Sequence, residues 1–399
     1  MTIVFLTVYP FNEDYCLKYG FRTFQEKGFE IVILNIFTLI YNTDIEKQAG
    51  YVEFQPVSGV EQVRVKSGRD FSNRLRAIGD RKIAILVASL RFNVLWHLKK
   101  ANVDYLLHYL NLHPTGQKIN RTALERYSAI VKLILASPKQ FMEKIKFKGR
   151  QLIPYTLIGM DNPRYVICAG STANVRYPLA EAQKIYTHSF DYDQYLQNKN
   201  IVRDVSIPDT PYLVFLSCSM WDVHDYLLCN VEPVITKEQY EEVIVRAFDY
   251  IEKKIGKKIV IAAGPKASES ENVYNGRSYS RFNTEQLVKY SDGVLCHYSG
   301  AISFAVIHEK PICFTTIRRL DNDKYFTKFV TAYAEELGAD IHYIDSERDL
   351  ELLVREGCFS YRSDKYSEYK KKYLCSTDSG DIRCWEKVSE VLKTDYFGQ

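Results

Sequence analysis

No C-x-x-C pair occurs among the nine cysteines of this chain, which are scattered at Cys16, Cys168, Cys218, Cys229, Cys296, Cys313, Cys358, Cys375 and Cys384. The odd count and the lack of paired spacing argue against a disulfide framework, a zinc ribbon or a thioredoxin-like motif. They predict reduced, mostly buried thiols. No uninterrupted apolar run reaches the length that crosses a bilayer. The opening residues, MTIVFLTVYPFNEDY, lack a basic n-region and a small-residue cleavage site. They read as a first core strand rather than a signal peptide, and the expected location is cytoplasmic. A net charge of +4 over 399 residues gives no electrostatic ground for nucleic-acid binding. No glycine-rich dinucleotide fingerprint follows the first strand, where Tyr9, Pro10 and Phe11 stand instead, and this disfavours a Rossmann dehydrogenase. Internal repeats and low-complexity segments are also missing.

What is present suits two domains of similar size, because 399 residues are too many for one compact core. Hydrophobic residues at 46% and charged residues at 26% are ordinary for a globular enzyme, whereas 30 tyrosines among 14% aromatics suit sugar-binding clefts or headgroup contacts. Short apolar runs alternate with helical patterns from the start, with strands at Thr2 to Val8 and Glu30 to Ile36 around a helix at Tyr15 to Lys27. The expected class is α/β with doubly wound parallel sheets. The polar, proline-bearing stretch from Asn198 to Pro211 is the best linker. It divides the chain into residues 1–205, residues 206–375 and a charged terminal helix, 376–399, that could cross back to the first domain. In the second domain Thr236 and Gln239 form a capping box for a long amphipathic helix closed by Gly256.

The most informative stretch runs from Val294 to Thr316. An apolar strand is followed by His297, Tyr298, Ser299 and Gly300, then a short helix, then Lys310-Pro311 and a second strand. This βαβ unit places Ser299 and backbone N–H groups where a phosphate would meet a helix N-terminus. A turn of that kind without any ligand is the competing reading. In KIYTHSFDYDQYL, Asp191 and Asp193 share a face if the segment is extended, with His188 close by. They could serve as acid/base groups or position sugar hydroxyls. An Asp helix cap and a buried, hydrogen-bonded His explain the same residues equally well. Further candidates are Asp222, His224 and Asp225 after the strand Tyr212 to Leu216, then Gly264, Pro265 and Lys266 after the strand Lys258 to Ala263. Arg318-Arg319, after the strand ending at Thr315, are either phosphate-binding cations or a surface pair. The basic-aromatic run from Lys139 to Arg150 could rest on anionic lipid, or be a solvated helix face.

Three segments together resemble bacterial surface-polysaccharide glycosyltransferases related to Kdo and sialyl transferases, which have the two-domain GT-B fold. These are HSFDYDQYL, the VFL strand with its loop and the IVIAAGP strand, and CHYSGAISFAVIHEKPICF. They span roughly Val166 to Thr316. The resemblance implies two Rossmann-like domains facing a central cleft and transfer of a sugar from a CMP- or UDP-linked donor to a capsule or lipopolysaccharide glycan. The donor phosphates would lie at Gly264, Lys266, His297, Ser299, Gly300 and Arg318, with Glu309 near the ribose. Asp191 or Asp222 would be the catalytic carboxylate, partnered by His188 or His224. No metal or other cofactor is expected, and the partners are a nucleotide-sugar, a glycan or lipid-linked glycan acceptor and a peripheral membrane contact. Two departures stand out. Ser217 follows the VFL strand where the group carries an acidic residue, and Gly264-Pro265 stands where it carries His-Pro. They leave room for a non-catalytic accessory relative, or for a sugar-nucleotide epimerase or pyruvyl transferase on the same fold.

Overall fold

The computed structural model describes residues 1–41, 57, 59–87, 91–111, 113–114, 159–171, 182–221, 232–264, 274–281, 283–355 and 357–398. Two compact units emerge. The first comprises Met1–Leu110, Ile119–Thr187 and Asp378–Gln399, and the second Asn111–Lys118 and His188–Thr377.

The first unit is built on β1 (Thr2–Thr7), β2 (Glu30–Asn35), β3 (Glu61–Arg64), β4 (Lys82–Leu86), β5 (Asp104–Tyr109), β6 (Tyr165–Ala169) and β7 (Gln183–Thr187). All pair in parallel, in the order β3-β2-β1-β4-β5-β6-β7. Both faces of such a sheet are covered, which is why TIVFLT and YVICA are buried at every position rather than at alternate ones. The helix expected over Tyr15 to Lys27 is two helices, Glu13–Lys18 and Phe21–Glu26, broken at Gly20 with φ +66. Trp385, on the terminal helix Cys384–Phe397, packs against Phe5, Tyr19 and Phe24 and donates from Nε1 to the Lys18 carbonyl at 2.9 Å.

The second unit contains β8 (Tyr212–Leu216), β9 (Lys258–Ala262), β10 (Tyr279–Ser280), β11 (Gly293–Cys296), β12 (Ile312–Thr316) and β13 (Ile341–Tyr343). They too are all parallel, in the order β10-β9-β8-β11-β12-β13. Chain order reverses between β8 and β11, so a crevice opens outside their carboxyl ends, the place where doubly wound sheets bind ligands. The helix Lys237–Ile255 has its Thr236–Gln239 capping box and its left-handed Gly256 cap. It buries Tyr240, Ile244, Ala247, Phe248 and Ile251 along one face.

The division between the two compact units falls at Thr187/His188. HSFDYDQYL is not extended. Ser189 accepts from the Tyr192 N–H at 3.2 Å and caps a helix, Phe190–Asn198. Asp191 and Asp193 are therefore roughly 200° apart around that helix instead of on one face. The far end of the helix is tied down by Asn198, which donates to the buried Glu285 at 3.0 Å, while Glu285 also holds His308 at 2.5 Å. These ties, all within the second unit, set the boundary.

Candidate functional site

β11 delivers the sequence His297-Tyr298-Ser299-Gly300 to the crevice, and the helix Ile302–Ile307 leads away from it. Ser299 accepts from the Ala301 N–H at 3.2 Å. A Cβ on Gly300 would stand 3.3 Å from His113 Cε1, so a residue without one lets that imidazole approach the turn. His113 was not among the sequence candidates. Its Nδ1 lies 2.6 Å from the Tyr333 hydroxyl.

Ser303 donates to the Gly300 carbonyl at 2.9 Å, an oxygen that can only accept. For the other ring nitrogen of His113, Nε2, the described residues supply no hydrogen-bond partner. Atoms packed around the ring lower the His113 pKa below the usual imidazole value although part of the ring reaches solvent. The Asp191 carboxylate pulls the other way. Asp191 lies within electrostatic reach of His113, Tyr333 and Tyr369. A neutral imidazole with a free nitrogen and a carboxylate at hand can take a proton from a hydroxyl.

The other sequence candidates are distributed as follows. His297 is fully buried, with Nδ1 donating to the Thr315 carbonyl at 2.7 Å and Nε2 2.9 Å from the Tyr240 hydroxyl; it supports the turn from below. His188 is buried too, accepting on Nδ1 from the Ser376 N–H at 3.4 Å and packed on Tyr192. Gly264 is exposed at the end of β9 with open space around it. Glu309 is exposed at φ +55 beyond the helix that leaves Ser299, near the start of β12, with Lys370 3.7 Å away. Asp222, His224 and Lys266 lie outside the described residues, as does the run 139–150. Among the described members of that set, Gly300 lies against His113, with Ser299 next to it in the turn and Asp191 within electrostatic reach.

Arg318 is committed elsewhere. It grips Asp349 with two nitrogens at 2.7 and 2.8 Å, reaches Asp345 at 3.2 Å and lies over the Tyr343 ring. This grip holds the Asp349 carboxyl well below the usual carboxylate range. A depressed folded pKa contributes stability that is present above the unfolded value of about 4 and lost as pH falls through the folded one. Arg318→Gln is therefore expected to lower the melting temperature at pH 7 and to flatten the loss of stability below pH 4, leaving nucleotide affinity unchanged. Melting curves from pH 2 to 8, with a titration at pH 7, test this; weaker nucleotide binding would return Arg318 to the site.

No protein-family model and no curated protein sequence matches the chain. Solved structures do. The wall teichoic acid polymerase TagF superposes on 100% of this chain and 90% of its own at 13% identity, TM-score 0.52. A TagF variant reaches 0.54 at 15% identity, over 100% of this chain and 89% of its own. A UDP-GlcNAc 2-epimerase from Methanocaldococcus jannaschii covers 98% of this chain and 99% of its own at 13% identity and TM-score 0.49. At such identities the TagF likeness shows the fold alone, two parallel-sheet α/β domains of the GT-B type.

Proposed function

We propose that the protein is a GT-B glycosyltransferase that moves a sugar from a nucleotide-linked donor to a hydroxyl of a growing capsule or lipopolysaccharide glycan. The observation that carries this reading is the gathering of His113, Asp191 and Gly300 around the turn after β11, with no partner for His113 Nε2 among the described residues. In the reaction His113 Nε2 takes the proton of the acceptor hydroxyl as that oxygen attacks the anomeric carbon. The bond from that carbon to the donor phosphate breaks, and the nucleotide leaves with the electron pair. Nδ1–H stays on Tyr333, and Asp191 stabilises the imidazolium. Ser299 and Gly300 receive the donor phosphates, and Lys266, outside the described residues, is the candidate cation for them. Asp222 and His224, outside the described residues, remain the alternative catalytic carboxylate and imidazole partner. The scheme uses no metal.

A TagF variant soaked with CDPG shares this fold, so cytidine nucleotides head the screen. CMP, CDP, UDP, GDP and ADP are tested by thermal shift. At about 100 times its Kd the bound nucleotide should stabilise by roughly 2.7 kcal/mol, a rise of a few degrees that Ser299→Ala reduces. No shift with any nucleotide would overturn the donor site and favour the accessory, non-catalytic reading.

The acceptor's lipid would keep the enzyme at the inner face of a membrane. Among the described residues no helix is long and apolar enough to cross one. The helix Phe92–Lys100, however, exposes Phe92 and Trp96 one turn apart at 47% and 39%, with Lys100 Nζ 3.8 Å above the Trp96 ring and Arg91 and Lys99 alongside. Apolar rings framed by cations suit an anionic headgroup layer. Sedimentation with phosphatidylglycerol vesicles should carry the wild type down and leave the Phe92→Ser/Trp96→Ser variant in solution; equal partition of both would remove this face from the scheme.

A further inference from the structure

The transfer just described leaves one deeply buried carboxylate without a part. Glu285 is 1% exposed; its Oε2 accepts from Asn198 Nδ2 at 3.0 Å, and its Oε1 lies 2.5 Å from His308 Nε2. A carboxylate is costly to bury, and an apolar residue of equal volume often packs as well. The best-attested use of such a buried polar tie is to fix register. Here it joins the far ends of two helices. Asn198 is the last residue of the helix Phe190–Asn198, and His308 caps the helix Ile302–Ile307.

On the first helix Asp191, Tyr195 and Asn198 stand at i, i+4 and i+7, so they share one face. Tyr195 meets the His308 ring edge-on, with centroids 5.6 Å apart, and Asn198 meets Glu285, so this face is turned to the second helix, against which the first one packs. Traced back from the common tie, Asp191 is about 10 Å up its helix and Gly300 about 12 Å up the other. The two ends of the proposed site thus reach the same level. At its start the Asp191 helix is held by the Ser189 N–H, which donates to the Leu374 carbonyl at 2.7 Å. A helix held at one end can roll about its axis, and a second tie two turns away stops the roll. We propose that Glu285 is a positioning residue that fixes the roll of the Asp191 helix against the helix leaving Ser299 and Gly300, so that Asp191 faces the donor turn. The inference rests on the transfer scheme above, in which Asp191 serves His113.

The test uses the full chain and follows the titration of the His113 ring by proton NMR, a readout that needs no turnover. Asp191→Asn should lower the His113 midpoint, because that carboxylate favours the imidazolium. Asn198→Ala and Tyr195→Ala, which change no charge, should lower it in the same direction by a smaller amount. In the Asp191→Asn background neither should add anything, since both act through the one carboxylate. Tyr195→Phe keeps the ring against His308 and should restore the wild-type midpoint. Glu285→Gln leaves one acceptor for two donors. The part of its effect that vanishes in the Asp191→Asn background is positional, and the part that survives is its own charge acting through space. Tyr333, the other neighbour of His113, is untouched by these variants. A purely structural tie would lower the melting temperature and leave the midpoint in place. A wild-type midpoint in both Asn198→Ala and Tyr195→Ala, or a Glu285→Gln shift that survives whole in the Asp191→Asn background, would overturn the inference and leave the site standing. A midpoint indifferent to Asp191→Asn would overturn both.

Discussion

His113→Asn is expected to lower kcat for sugar transfer by roughly 10²- to 10⁴-fold, the range general-base catalysis ordinarily supplies, while nucleotide Kd stays near the wild-type value. The hydrogen bond lost to Tyr333 costs about 1 kcal/mol of stability, so the variant remains folded for the measurement. The pH profile gives a sharper result. Packing around His113 lowers its pKa, so the acid limb of kcat/KM should lie below the ordinary imidazole value of about 6.5. Asp191 opposes that shift. Asp191→Asn should therefore move the limb to lower pH and reduce kcat as well, because the imidazolium formed during transfer loses its counter-charge. Tyr333→Phe removes the hydroxyl 2.6 Å from Nδ1 and should lower kcat by releasing the ring, with KM for the donor unchanged. A His113→Asn enzyme that keeps wild-type kcat would end this assignment, and an acid limb that ignores Asp191→Asn would detach the carboxylate from it.

The sheets were readable from sequence because parallel strands need both faces buried. TIVFLT, YLVFL and KIVIA announce themselves as runs with turn residues at their ends. The turn at Ser299-Gly300 was readable for the same reason, since a polar break between two such runs fixes where the carboxyl edge lies. Burial of single polar residues was not. His297 looks like the first residue of an exposed turn, yet Thr315 and Tyr240 come from distant parts of the chain to satisfy it inside the core. Arg318 reads as a free cation until Asp345 and Asp349 are folded against it. The tyrosines of HSFDYDQYL weaken both helix and strand patterns, and the Ser189 cap that settles the matter depends on a single hydroxyl. His113 gave one faint signal, a His-Pro pair just past the end of β5. Its role rests on Gly300, Tyr333 and Asp191, which lie far away in sequence, so no local pattern could supply it.

Gly20→Ala is expected to destabilise the protein by roughly 2–5 kcal/mol, combining about 1–2 for a side chain in the left-handed region with about 1–3 for overpacking. An alanine Cβ there would stand 2.4 Å from Trp385 Cβ and 2.7 Å from its Cγ, atoms at the base of a side chain that cannot swing aside. Gly28, at φ +85 with nothing within 4 Å of a built Cβ, isolates the backbone part, so Gly28→Ala should cost only about 1–2 kcal/mol. The difference between the two measures the contact with the terminal helix. Trp385→Ala by itself should cost about 3–5 kcal/mol, since the indole fills the space among Phe5, Tyr19 and Phe24. In that background Gly20→Ala should fall to the Gly28 level, a non-additivity seen only when two residues touch. Urea unfolding of the four variants decides it. If Gly20→Ala costs no more than Gly28→Ala in the wild-type background, Trp385 does not sit against this turn, and the terminal helix has no place in the first unit.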